Sequence, residues 1–157
     1  MKRPWNLPNL PIYSLATYCK GSLNMNICTY VSAVSMQPKR YLVAVYHHTQ
    51  SMENLQRSNV AILQLLGKQN LPLINVLGKK SGKTYNKELY LTRKNELQQW
   101  HGLPVLSACA AWLKLKKRWS KEAGDHTLFL FDVTTYVTHH SNILMLDDLR
   151  EKKLVRI

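Results

Sequence analysis

Apolar and polar residues alternate with a period of two along much of the chain, the spacing of a strand with one dry and one wet face. The clearest case is Cys109 to Ser120. Cys109, Ala111, Leu113, Leu115 and Trp119 take odd positions, and Lys114, Lys116 and Arg118 take even ones. His126 to Thr138 is equally rich in β-branched and aromatic residues, and the stretch Lys121–Asp125 between them reads as a turn. The two segments therefore predict a long hairpin. Further upstream, Ile12–Cys19 and Asn26–Met36 read as strands, the second ended by Gln37-Pro38. Tyr41–His47 and Val60–Leu66 are continuous apolar runs of strand length, as expected of strands buried on both faces.

Helical signals are short. Thr49 or Ser51 suits the N-cap of a helix through Met52–Ser58. Asn70–Gly78 predicts a second helix, with Pro72 in its first turn and Gly78 at its end. Residues 1–11 hold three prolines and read as an extended arm. Strands outnumber helices, so the pattern predicts an all-β or β-dominant barrel with short peripheral helices. At 157 residues the chain has the length of one domain, 1–157.

Charge and cysteine usage narrow the function classes. Cys19, Cys28 and Cys109 are scattered and form no C-x-x-C, which argues against a zinc site or a disulfide framework and for a reducing, cytoplasmic setting. No apolar run reaches the ~18 residues of a membrane helix, and the N-terminus does not read as a signal peptide. The net charge is +13. Its clusters are Gly78–Lys87, Lys114–Lys121 and the C-terminal run from Arg150. None is interleaved with aromatics as in a nucleic-acid stacking platform, so the weighing favours soluble faces over a nucleic-acid partner.

The stretch Val76–Lys87, "VLGKKSGKTYNK", resembles the end of a phosphate-binding P-loop at Gly82-Lys83-Thr84. The pattern G-x-x-x-x-G-K-[ST] puts the first glycine at position 77, which is leucine; Gly78 comes one residue too late. Leu128–Asp132 is an apolar strand ending in Asp, which any sheet can contain. The stretch instead predicts a solvated basic turn made by Lys79, Lys80, Lys83 and Lys87. His47 and His48, read as strand neighbours, point to opposite faces and so do not predict a metal pair; no metal is expected.

The order of these words resembles the flavin reductase-like family, whose members form an FMN-binding split barrel of Greek-key type. Its pattern N-x-x-x-x-S-S-x-x-x-V-S-x-x-P-P is met by Asn24, Thr29, Val34-Ser35 and Pro38. "HHTQSMENL" matches the family's polar loop and E-N helix at Glu53-Asn54, "LGKKSGKTYNK" its F-G-x-K-S-G stretch, and "GLPVL" and "GDH" its words at the same places. The resemblance spans about residues 12–140. It implies FMN, with FAD as the alternative, held by Asn24, Met25, Ile27, Cys28, Thr29 and Tyr30 along ring and ribityl chain, and by His48, Thr49, Gln50 and Ser51 at the phosphate. For Thr49 and Ser51 plain helix capping stays an alternative. It also implies that His126 lies by the nicotinamide of NAD(P)H, against a plain surface histidine; that hydride passes to the flavin with no acid–base side chain required; and that the protein is a homodimer with flavin at the interface. Three positions depart from the family: Gln50 where many members carry a basic residue, Tyr30 for the second serine, and Ile27 for a threonine. The C-terminal tail also differs. Two other functions stay open on the residues: a non-catalytic flavin- or haem-binding barrel, and a basic nucleic-acid-binding module.

Overall fold

The computed structural model describes residues 1–155. Residues 156 and 157, the end of the C-terminal basic run, lie outside the described residues. The strands are β1 (Tyr13–Cys19), β2 (Ser22–Met25), β3 (Val31–Ser35), β4 (Arg40–Tyr46), β5 (Val60–Leu65), β6 (Leu97–Trp100), β7 (Leu103–Leu106), β8 (Ala111–Ala123) and β9 (His126–Thr138). The helices are α1 (Gln50–Arg57), α2 (Ile74–Lys79), α3 (Lys87–Arg93) and α4 (Leu146–Glu151). Seven strands form one antiparallel sheet in the order β2-β1-β5-β8-β9-β4-β3, and β6 and β7 pair separately. Among the described residues no helix is long and apolar enough to cross a membrane.

The sheet curls until its ends approach, and the segment before β3 closes the seam. Cys28 exchanges both main-chain bonds with Tyr13, at 3.0 and 2.8 Å, and the Tyr30 carbonyl accepts the Ala44 N–H at 3.0 Å. The Asn26 side chain accepts from the Leu15 N–H at 2.9 Å, standing in for a missing strand partner. Asn26–Tyr30, expected as part of a strand through Met36, is thus a crossing segment, and regular pairing begins only at Val31. A cis Gln37–Pro38 peptide turns β3 into β4.

Strand alternation divides the core in two. Leu15, Val43, Val45, Leu63, Leu115, Phe129 and Phe131 pack on the barrel's inner face, with Met52 and Leu55 of α1 over one end. Ala16, Ile62, Leu66 and Trp112 face outward beneath α2, α3, β7 and α4. Tyr41–His47 is therefore not buried on both faces: Val43 and Val45 are, while Leu42 and Ala44 are half-buried and Tyr46 is exposed. The alternation in β8 holds only in part. Trp112, on the supposedly wet side, is buried because the β6–β7 pair covers it. A register shift between Lys117 and Trp119 reverses the parity and leaves Trp119 exposed. The β8–β9 turn is only Gly124-Asp125, with Gly124 at φ +66° in the first turn position, where glycine costs least.

The N-terminal arm is not extended throughout. It makes a 3-10 turn at Pro4–Asn6, and Pro11 bridges to Met145. Asn70–Gly78 is a 3-10 helix over Lys68–Leu73 followed by α2, because Pro72 has no N–H for an α-helical ladder.

Candidate functional site

A cleft of about 430 Å³ opens beside the barrel seam, where three chain segments meet. The seam loop supplies Asn24 and Asn26–Tyr30, the start of α1 supplies Thr49–Ser51, and the basic turn supplies Leu77–Gly82; Tyr46 and His126 stand at its rim. All the expected binding residues line it except Met25 and His48. Met25 is fully buried, because the alternation of β2 turns it into the outer core. His48 is exposed, held at φ +62° in the turn before α1. His47 and His48 sit in this turn rather than on a strand, and His47 Nε2 meets Thr127 Oγ1 at 3.0 Å. Among the described residues no three His, Cys, Asp or Glu side chains gather as a metal site.

A buried polar network fixes the cleft floor. Asn24 Nδ2 donates to Ser51 Oγ at 3.0 Å, and Thr17 Oγ1 donates to the Asn24 carbonyl at 3.4 Å. Asn54 Nδ2 donates to Thr17 Oγ1 at 3.1 Å and Gln50 Nε2 to Asn54 Oδ1 at 2.9 Å. Such networks hold geometry when every member is satisfied, as the sheltered groups have nowhere else to bond. Thr49 is the N-cap of α1: its hydroxyl accepts from Met52 N–H at 3.2 Å and donates to the Tyr46 carbonyl at 2.9 Å. Ser51 does not cap. It is wholly buried and its hydroxyl accepts from Asn24.

The basic turn belongs to the cleft as well as to the surface. Its glycines permit the approach: a Cβ on Gly82 would stand 2.1 Å from Asn24 Oδ1, and one on Gly78 would stand 3.3 Å from Ile27 Cγ1. Lys83 pairs with Glu53 of α1 at 2.8 Å and holds that carboxyl below its usual range. Lys79 and Lys80 are exposed at the cleft wall. Lys87, expected in solvent, is 5% exposed; its Nζ donates to the carbonyls of Met25 and Leu77, each at 2.8 Å. Desolvation lowers its pKa to about 8. Burial pushes the Cys28 thiol in the seam up to about 12.

At the rim, the His126 ring lies 5.4 Å from Tyr30 and 5.3 Å from Tyr46. Its Nδ1 is 2.6 Å from Asp125 Oδ1, and that contact holds the exposed Asp125 carboxyl below its usual range. Asp132, at the end of the apolar run Leu128–Asp132, lies away from the cleft, paired with Arg40 at 2.7 Å and Arg118 at 3.5 Å. Reading the sequence missed Asn26 and Tyr46, the place of Lys79 and Lys80 at the cleft wall, and the burial of Lys87. The signal available was Gly78 with Gly82, a pair that lets a basic turn lie directly against another loop.

The chain is therefore of the antiparallel split-barrel class, with a polar cleft at its seam. The family described as flavin reductase like domain matches residues 9–152, and the chain belongs to that family. No curated protein sequence matches it significantly. Among solved structures it is similar to an FMN-binding protein from Thermus thermophilus with bound p-hydroxybenzaldehyde, at 16% identity and TM-score 0.78, over 88% of this chain and 77% of that one. It is also similar to the styrene monooxygenase flavin reductase of Pseudomonas putida, at 20% identity and TM-score 0.74, over 88% and 86% of the two chains. An NADH:FAD oxidoreductase from Streptomyces globisporus, in complex with NAD and FAD fragments, aligns at 16% identity and TM-score 0.75, over 87% and 79%.

Proposed function

We propose that the cleft binds a flavin nucleotide, FMN or in its place FAD, and that the protein is an NAD(P)H:flavin oxidoreductase. The observation that carries this reading is the convergence of the seam loop, the start of α1 and the basic turn on one cleft. Its volume falls within the roughly 300–1,000 Å³ of small-molecule and cofactor sites. Its donors suit an anionic nucleotide: the N-terminal end of α1 and the Lys79 and Lys80 ammonium groups. The two lysines provide the charge that Gln50 does not, and they come from this chain. Ile27, Leu77 and Val45 offer the apolar wall a ring needs.

A bound flavin would supply the hydride-accepting centre. The chain's own part is to bind and orient. The floor network holds Asn24 and Ser51 in place, the seam loop presents main-chain groups, and Tyr30, Tyr46 and His126 shield the rim from water. The Asp125 contact orients the His126 ring beside the space a nicotinamide would take. A homodimer covering the exposed rim belongs to the same proposal.

A titration of the purified protein with FMN, followed in the visible spectrum, and then with NADH tests the reading. Bound flavin that is bleached by NADH is the expected result. No binding at concentrations on the order of ten micromolar would reject it. A second reading is a flavin binder without turnover, favoured by Gln50 and Tyr30, which stand where many members of the family carry a basic residue and a serine. Flavin that stays oxidised when NADH is added would select it.

A further inference from the structure

Lys87 stands apart from the other charged groups of the cleft. Lys79 and Lys80 are exposed, and His126 has Asp125. Lys87 is buried, and among the described residues no Asp or Glu oxygen lies within ion-pair distance of it. An ammonium carries three N–H donors. Two are taken by carbonyls of opposite walls, Met25 at the end of β2 and Leu77 in α2. Two neutral carbonyls do not compensate a buried charge, and a methionine of similar size would fill the wall without that desolvation cost. A cation kept in such a place at a cleft is completed by a counter-charge that enters with the ligand.

We infer that Lys87 is an anion receptor in the cleft wall, its remaining N–H donating to an anionic atom of the bound flavin nucleotide, either in the phosphate or in the ring once reduced. This rests on the flavin reading above. It goes beyond that reading by assigning the counter-ion to a buried residue of α3 in addition to the surface lysines. The groups facing Lys87 leave its charge unanswered. Lys79 and Lys80 have the same sign, and Lys83 is already paired with Glu53. Glu88, next in α3, accepts the Leu23 N–H at 3.2 Å, and the Cys28 thiol stays protonated until about 12.

The linkage has a definite sign. In the free protein Lys87 loses its proton near pH 8. An anion favours the protonated form, so binding above that pH takes up a proton, and affinity falls as pH rises, by up to roughly tenfold per unit.

The test is equilibrium binding of FMN and of riboflavin to the wild type and to Lys87→Met, from about pH 7 to about pH 10, with the reduction potential of the bound flavin measured alongside. If the phosphate is the anion, the wild type is expected to bind FMN with constant affinity below about pH 8 and progressively more weakly above it; if the reduced ring is, the break near pH 8 is expected in the potential instead. Lys87→Met is expected to flatten the profile. A loss of roughly 10- to 100-fold for FMN but not riboflavin assigns the phosphate as the anion. Unchanged oxidised-state affinity with a lowered potential assigns the ring. Lys87→Met matching the wild type in affinity, pH profile and potential overturns the inference. Should the variant fail to fold, a wild type whose FMN affinity is flat between about pH 7 and about pH 10 and whose bound-flavin potential shows no change of slope near pH 8 overturns it equally. A wild type that binds neither flavin at any pH is a different result; it removes the functional reading, and this inference with it.

Discussion

Gly82 touches Asn24 so closely that any side chain there must push the basic turn away. Gly82→Ala places a methyl 2.8 Å from Asn24 Cγ, in a buried residue that also holds Ser51. Overpacking of this kind costs about 1–3 kcal/mol. The variant should melt earlier and bind flavin more weakly, since the displaced turn carries Lys79 and Lys80. Gly21→Ala is the control: nothing lies within 4 Å, but φ +77° strains any L residue, so stability should drop slightly with flavin affinity unchanged. Equal flavin affinity in Gly82→Ala and Gly21→Ala would show that the turn's approach does not matter. Titratable residues give a second prediction, for the ligand-free protein. Lys87 has its folded pKa depressed from 10.5 to about 8, so above pH 8 the unfolded chain binds more protons and stability rises with pH. Cys28 and Cys109 have theirs raised from 9.0 to about 12 by burial, so above pH 9 the folded state binds more and stability falls. Lys117, also lowered by desolvation, adds to the rise, and between pH 8 and pH 9 the cysteines do not yet oppose it, so stability should climb there. Urea unfolding across this range should show the climb, and Lys87→Met should weaken it.

Helix α1 does two jobs that look alike in the sequence. Its Thr49 hydroxyl is spent on Met52 N–H and the Tyr46 carbonyl, while Ser51 and Asn54 point into the floor network. Thr49→Ala should therefore cost about 1 kcal/mol through the lost cap, and Thr49→Ser should restore it. Asn54→Ala should cost more, about 2–3 kcal/mol, because Thr17 and Gln50 lose a buried partner together. Chemical denaturation of the three variants checks the order; a Thr49→Ala loss exceeding that of Asn54→Ala would mean the network is not what fixes the floor. At this scale the sequence was most readable where one face is dry. β9 falls on His126–Thr138 as its β-branched and aromatic composition says, and β1, β4, β5 and α1 lie within a residue or two of expectation. It was least readable where tertiary context overrides pattern. Asn26–Tyr30 is β-rich yet crosses the seam, since its partners are Tyr13 and Ala44 rather than a ladder neighbour. The bulge after Lys117 turns Trp119 outward, and no local signal marks it. Lys87 reads as one more cation of a basic turn; that its stem enters the wall follows only from the packing of α3 against β2.

The whole molecule leaves one sheet edge and one charge excess to be accounted for. β3 pairs only with β4, and its central residues are exposed; Val34, Met36 and, on β9, Tyr136 are 51%, 85% and 72% exposed. Met36 and Tyr136 flank an apolar groove of about 480 Å³ that Tyr13, Tyr41, Leu113 and Val133 also line. Natural sheets rarely leave such an edge free, because unpaired strand groups invite another chain. The proposed homodimer would cover this edge. Each copy carries a net charge of +13, so copies repel at long range while an anionic flavin is attracted. The screening length shrinks from about 30 Å at 0.01 M salt to about 8 Å at 0.15 M. The two equilibria should respond oppositely: self-association tightens as salt is added, and flavin affinity weakens. Sedimentation at several ionic strengths reads the first, and flavin titration under the same conditions reads the second. Replacing both Val34 and Met36 with Lys places like charges on the edge and should yield monomers at every salt concentration, folded but melting below the wild-type dimer, since both side chains are exposed in the single chain and only the association energy is lost. A wild type that sediments as a monomer throughout would remove the dimer. The cleft, built from one chain's seam, helix and turn, would then have to hold flavin unaided.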